Sequence, residues 1–168
     1  MENDHDLRVL LVTNQVSLDN SAGGVEVVAK LQKEALEARG LDVRLLAGVI
    51  EHEKWKMDES GYICVEQKPL IQSLPSTNFS SKSAFFLLRE IQKADVVHIH
   101  MCKDILTYLA CIFSICFRKK IVIQTHGMYA REDRLIDVAM NKIGKLIAKE
   151  CNAHLILTQR SEEHTSEL

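Results

Sequence analysis

The stretch Arg8-Val9-Leu10-Leu11-Val12-Thr13-Asn14 is apolar from Val9 to Val12 without a polar interruption. A strand with one wet face alternates apolar and polar residues. A continuous run instead fits a strand covered on both faces, as in a parallel sheet between helices. A polar loop, Gln15–Gly24, follows. Val25–Arg39 then carries Val28, Leu31, Ala35 and Ala38 at helical spacing, Gly40 supplies a C-terminal stop, and Leu41–Val49 reads as the next strand. Strand, loop, helix, strand is the βαβ unit of a parallel sheet.

Working outward, the alternation continues. Gly61–Glu66 reads as a short strand, and Pro69, Pro75 and a Ser/Thr/Asn cluster mark loop. Ser83–Lys93 is helical, Val96–His100 a strand, Ile105–Phe117 a buried helix and Ile121–Thr125 a strand. Leu135–Glu150 has the pattern of an amphipathic helix, with Leu135, Ala139, Ile143, Leu146 and Ile147 on its apolar side, and His154–Thr158 reads as the last strand. The expected fold is α/β: a doubly wound, mostly parallel, Rossmann-like sheet.

The chain has 168 residues, 46% hydrophobic and 26% charged, with a net charge of -2. That suits one soluble globular domain and gives no electrostatic footprint for nucleic acid. Its 5% aromatic content provides little base-stacking surface. The five cysteines are odd in number and lack C-x-x-C spacing, which fits reduced thiols in a cytoplasmic protein. The acidic, polar start Met1–Asp6 does not read as a secretory signal. Ile105–Phe117 is 13 residues long, short of the about 20 that span a bilayer. With Arg118-Lys119-Lys120 behind it, it is read as a core helix and a solvated turn; peripheral membrane contact is the alternative.

Residues 160–168, Arg160 to Leu168, follow a clean strand pattern abruptly and carry no apolar periodicity. They resemble the translated read-through of a sequencing adapter. They are set apart as a non-native tail, leaving residues 1–159 as one domain.

Ligands of such sheets bind beyond the carboxyl ends of the strands, where three segments arrive: Gln15–Gly24, His100–Lys103 and His126–Arg131. Gly23 and Gly24 stand at a helix N-terminus, where free N–H groups suit a diphosphate. The spacing is not G-x-G-x-x-G, which counts against a nicotinamide enzyme. Glu26 falls in the first helical turn, either steadying the dipole or touching the ligand. His98 and His100 share one strand face. His98 reads as a core histidine, and the absence of supporting Cys or carboxylate spacing argues against a metal at His98, His100 and His126.

Gly23-Gly24-Val25-Glu26, the helix end Ala35–Gly40 and Val43–Leu45 resemble the opening of family-4 glycosyltransferases of the GT-B fold. Ala94-Asp95-Val96-Val97-His98-Ile99-His100 resembles their A-D-V-V-H-x-H strand, and Thr125-His126-Gly127-Met128 their T-H-G-M loop. The matches come in family order and span most of Leu7–Gln159. The resemblance implies the N-terminal, acceptor-side half of a retaining glycosyltransferase, with the donor-binding C-terminal domain missing and the isolated chain inactive. Its substrates would be a nucleotide sugar and a glycan or lipid-linked acceptor, with no further cofactor. His126 would be catalytic. Gly23, Gly24, Glu26, His100 and Gly127 would bind donor or acceptor, with His100 at the cleft rim. The rival from a different class is a noncatalytic, flavodoxin-like ligand-binding module.

Overall fold

The computed structural model describes residues 7–17, 23–50, 61–69, 78–102, 104–126, 142–144, 147, 149 and 151–156. In chain order the elements are β1 (Arg8–Gln15), α1 (Gly24–Glu37), β2 (Asp42–Ile50), β3 (Tyr62–Pro69), β4 (Asn78–Phe79), α2 (Ser81–Lys93), β5 (Val96–Met101), α3 (Ile105–Cys116), β6 (Lys120–Thr125) and β7 (Ala153–Ile156). They form one seven-stranded sheet in the order β4-β3-β2-β1-β5-β6-β7. The pairing of β3 with the two-residue β4 is antiparallel; the other pairings are parallel. With β4 set aside, this is the Rossmann order, 3-2-1-4-5-6 by appearance, and not the flavodoxin order, 2-1-3-4-5. The doubly wound expectation holds, and the flavodoxin-like alternative is corrected. The chain winds outward from β1 to β3, returns to lay β5 beside β1, and winds outward again. The switch point therefore lies between β1 and β5.

The continuous apolar runs pack on both faces of the sheet. Leu10 and Val12 of β1, Val97 and Ile99 of β5, and Ile121 and Ile123 of β6 meet Leu87 and Ile91 of α2 and Leu106 and Cys111 of α3. The alternate residues Val9 and Leu11, with Val43 and Leu45 of β2, meet Ala29 and Leu36 of α1. Helix α3 is thus a core helix, although Ile112 remains 42% exposed. No helix among the described residues is long and apolar enough to cross a membrane.

Three sequence expectations need correction. The apolar stripe read on α1 does not face the sheet: Leu31 is 59% exposed, and Ala35 and Ala38 are exposed too. The inner face is Glu26, Ala29 and Lys33. Ala29 lets the helix lie close to the sheet, and the two charges are neutralised locally. Lys33 Nζ is 2.6 Å from Glu37 Oε1 and 4.8 Å from the Tyr62 ring centre. Helix α2 starts at Ser81 rather than Ser83 because Ser80 and Ser83 form a reciprocal capping box, each side chain accepting the other's backbone N–H. On the helix read over 135–150, Ile147 is buried but Ile143 is 44% exposed, and most of the remainder lies outside the described residues.

Helix α3 ends in a Schellman turn. Lys119 N–H donates to Ser114 O and Arg118 N–H to Ile115 O, with Arg118 at φ 52° where glycine is the usual choice. Left-handed backbone costs an L residue roughly 1–2 kcal/mol, partly offset by the extra freedom glycine loses on folding. Arg118→Gly is expected to stabilise the domain by about 0.5–1 kcal/mol, read as a higher urea midpoint at unchanged slope. A lower midpoint would show that the Arg118 side chain contributes more than its backbone costs.

Candidate functional site

The carboxyl edge at the switch point is assembled from the ends of β1, β2, β5 and β6. Strand β1 bulges there: its register with β2 shifts between Thr13 and Gln15, and Val16 N–H donates to Gly48 O at 3.0 Å. Gly48 makes this possible. A Cβ at that position would come within 2.5 Å of Asn14 O and would collide with the Gln67 side chain. The sequence reading passed over Gly48, although an isolated glycine inside a strand pattern is a signal of close backbone approach.

Beyond the bulge, Glu26 ties the start of the loop to α1. Its carboxylate accepts from Ser17 N–H at 2.6 Å and Ser17 Oγ at 2.9 Å, and Lys30 Nζ lies 2.7 Å away. Burial would raise the Glu26 pKa, but the hydrogen bonds from Lys30 and Ser17 outweigh it and hold the carboxyl below its ordinary value. Glu26 is thus a buried brace in addition to any ligand contact. Gly23 is the N-cap of α1 with φ 105°, a conformation that L residues rarely adopt. Gly24 is the first helical residue. Its φ is not left-handed and a Cβ there would meet nothing within 4 Å. The fold therefore needs glycine at Gly23 but not at Gly24. Both are exposed at the edge.

The histidines meet in a column on the α1 side of the sheet. His98 and His100 alternate out of β5 onto one face and stack with ring centres 4.9 Å apart and planes 13° apart. His126, just past β6, lies edge to edge with His100, ring centres 5.3 Å apart and planes 19° apart, with His100 Nδ1 3.0 Å from His126 Nε2. His98 Nε2 is 3.0 Å from Gln124 Oε1, which also accepts from Gln32 Nε2 of α1 at 2.8 Å. His100 was expected at the cleft rim. It is instead fully buried, and the half-buried His126 is the member nearest solvent. Burial lowers the pKa of all three, that of His100 to about 3, and proximity to its two neighbours pushes His100 the same way. The column is neutral at neutral pH.

Asp104, missed in the sequence, caps α3 beside this edge. Its carboxylate accepts from Thr107 N–H at 3.1 Å and Thr107 Oγ1 at 2.8 Å. An Asp just before an apolar helical run with Thr three residues on was the available signal. Burial drives its pKa up to about 7 against the lowering effect of those bonds. Cys102, at the end of β5, is held as a thiol. Burial and the Asp104 charge raise it to about 12, so it is no nucleophile at neutral pH. None of the five cysteines is in a disulfide. Among the described residues no group of three or more His, Cys, Asp or Glu could hold a metal ion. Gly127 and the loop beyond it lie outside the described residues.

Glycosyltransferase Family 4 matches residues 22–168, most of the chain, and includes every strand after β1. The chain belongs to glycosyltransferase family 4. The match also runs through residues 160–168, the segment set apart from the sequence, which lies outside the described residues. A comparison with curated proteins finds no match. Three solved structures show a distant similarity to this family-4 domain. MurG of Acinetobacter baumannii is 8% identical with a TM-score of 0.49, over 89% of this chain and 41% of that one. An isochorismatase-like hydrolase from Alkaliphilus metalliredigens is 11% identical with a TM-score of 0.43, over 96% and 99% of the two chains. Homoserine dehydrogenase of S. aureus is 12% identical with a TM-score of 0.41, over 90% and 32%. The chain thus spans less than half the length of MurG.

Proposed function

We propose that the protein carrying this domain moves a sugar from a nucleoside-diphosphate donor to a hydroxyl of a glycan or lipid-linked acceptor, with retention at the anomeric carbon. The reaction runs in the cytoplasm, at the membrane surface where the acceptor is lipid-linked. It uses no metal or further cofactor, and a second Rossmann-like domain supplies most of the donor contacts. Residues 1–159 form the acceptor-side half, and 160–168 are foreign to it. The observation that carries this reading is the edge itself in a family-4 chain. A glycine-led helix terminus after β1 and an edge histidine after β6 lie at the carboxyl edge, flanking the switch point. In this reading the Gly24 N–H binds the diphosphate, and His126 and Gly127 serve the transferring sugar and the acceptor. Sugar transfer then rests on positioning and on stabilising the departing diphosphate, which takes the acceptor's proton as the new glycosidic bond forms.

The test joins this domain to its partner domain and assays a panel of UDP- and GDP-sugars, with the anomeric configuration of the product read by NMR. Absence of transfer from every donor, or inversion of configuration, contradicts the proposal. Gly24→Val sharpens it. Because a side chain at Gly24 has open space, the variant should fold at least as stably as the parent. Its donor KM should rise roughly tenfold or more, the loss of one charge-assisted hydrogen bond. An unchanged KM removes Gly24 from the donor site.

A further inference from the structure

We infer that His100 is a positioning residue that fixes the tautomer of His126: His100 carries its proton on Nδ1, donates it to His126 Nε2, and leaves His126 as an Nδ1–H donor.

The bond geometry requires a choice. Two ring nitrogens 3.0 Å apart, both on neutral imidazoles, must divide into one donor and one acceptor. The other nitrogen of His100 decides which. His100 Nε2 is buried and has no partner among the described residues, and the same holds for Gln124 Nε2. His100 and Gln124 are register partners on adjacent strands β5 and β6. Gln124 uses its oxygen for both Gln32 and His98, so its unpaired nitrogen is a donor. A proton on His100 Nε2 would set two buried, unpaired N–H donors on neighbouring positions. A bare lone pair there avoids this, and unpaired buried acceptors are less costly than unpaired donors. The proton therefore belongs on Nδ1. Stacking on His98 hinders a flip of the His100 ring, which would put Cδ2 where Nδ1 stands and break the bond to His126.

The consequence rests on the transfer reading above. A His126 whose Nδ1 is already protonated and whose Nε2 is occupied by His100 cannot take a proton from the acceptor hydroxyl. It stabilises negative charge by donation, and the hydroxyl proton goes to the leaving diphosphate oxygen.

The tautomer is measurable without any transfer activity. The probe is the whole chain with 15N-labelled histidine, its His126 signals identified by their loss in His126→Gln. Long-range proton–nitrogen spectra at neutral pH should show His126 as Nδ1–H, by roughly fivefold or more over Nε2–H, where a free histidine side chain prefers Nε2–H. His100→Asn places an amide where Nδ1 stood and should keep that form. His100→Gln reaches only the Nε2 position and should return His126 to the free-histidine preference. Circular dichroism checks that both variants are folded. An Nε2–H form in the parent chain, or an unchanged tautomer in folded His100→Gln, overturns the inference. Either result leaves the donor-panel assay, and with it the proposed reaction, standing or falling on its own.

Discussion

His126→Ala is expected to lower turnover in the proposed two-domain enzyme roughly 10²–10³-fold, the usual cost of losing a positioned donor to developing charge. His126 is half-buried past the end of β6, so the mutation opens no large core cavity. It does leave His100 Nδ1 without its partner, at about 1–2 kcal/mol of stability. Cys102→Ala is the control. Cys102 ends β5 on the same edge, but its buried thiol has neither the acidity nor the exposure to take part, and its removal should change turnover only a few-fold. Steady-state kinetics with circular dichroism at the assay temperature separate the outcomes. If His126→Ala keeps turnover within about threefold of the parent, or fails only because it unfolds, the catalytic role of His126 is wrong.

The second large effect concerns acid. His100 titrates near 6.5 when unfolded and at about 3 when folded. Its neutral burial stabilises the fold above pH 6.5, and that contribution is lost as pH falls from 6.5 to about 3. Asp104 has the opposite sign. Its folded pKa of about 7 lies above its unfolded value of 3.8, so the native state binds the proton first and gains stability as pH falls from 7 to 3.8. At about 1.4 kcal/mol per pH unit, each contribution is on the order of 5 kcal/mol, and across the shared window they oppose each other. His98 and His126, also lowered by burial, add to the side of His100. Urea midpoints between pH 7 and 4 should therefore fall modestly in the parent, fall steeply in Asp104→Asn and flatten or rise in His100→Asn. Parallel profiles for all three proteins would show that neither group sets the acid response.

The sheet was legible in sequence because burial on both faces leaves a local mark. Val9–Val12, Val96–Ile99 and Ile121–Ile123 lie in strands close to those expected. Helix α1 was placed correctly but turned wrongly. Two of its rows are apolar, Val28-Leu31-Ala35 and Val25-Ala29-Leu36, and only the sheet decides between them. The sheet chose the row whose flanking charges, Glu26 and Lys33, find partners on Lys30, Ser17 and Glu37. The two-residue β4 is too short for any periodicity to show. At the site, the shared face of His98 and His100 follows from strand alternation, and both strand ends could be read. The His100–His126 bond could not, because it depends on the β5–β6 register, which pairs His100 with Gln124 and so places His126 two residues beyond the partner of His100. Glu26 illustrates a different gap: its place in the first helical turn was visible, whereas its hold on Ser17 depends on where the β1 bulge sends the chain.

Gly48 divides the edge into a part that can drift and a part that cannot. With the Asn14 carbonyl and Gln67 already in the space a Cβ would need, the β1–β2–β3 corner tolerates no side chain at that position. Natural variation in substrate preference, or a laboratory library aimed at it, has little purchase there. The surroundings of Gly24 are open, and among the described residues His126 is held by one side-chain bond, to His100. New specificities can therefore arise at the α1 terminus and after β6 while the scaffold that carries them stays unaltered.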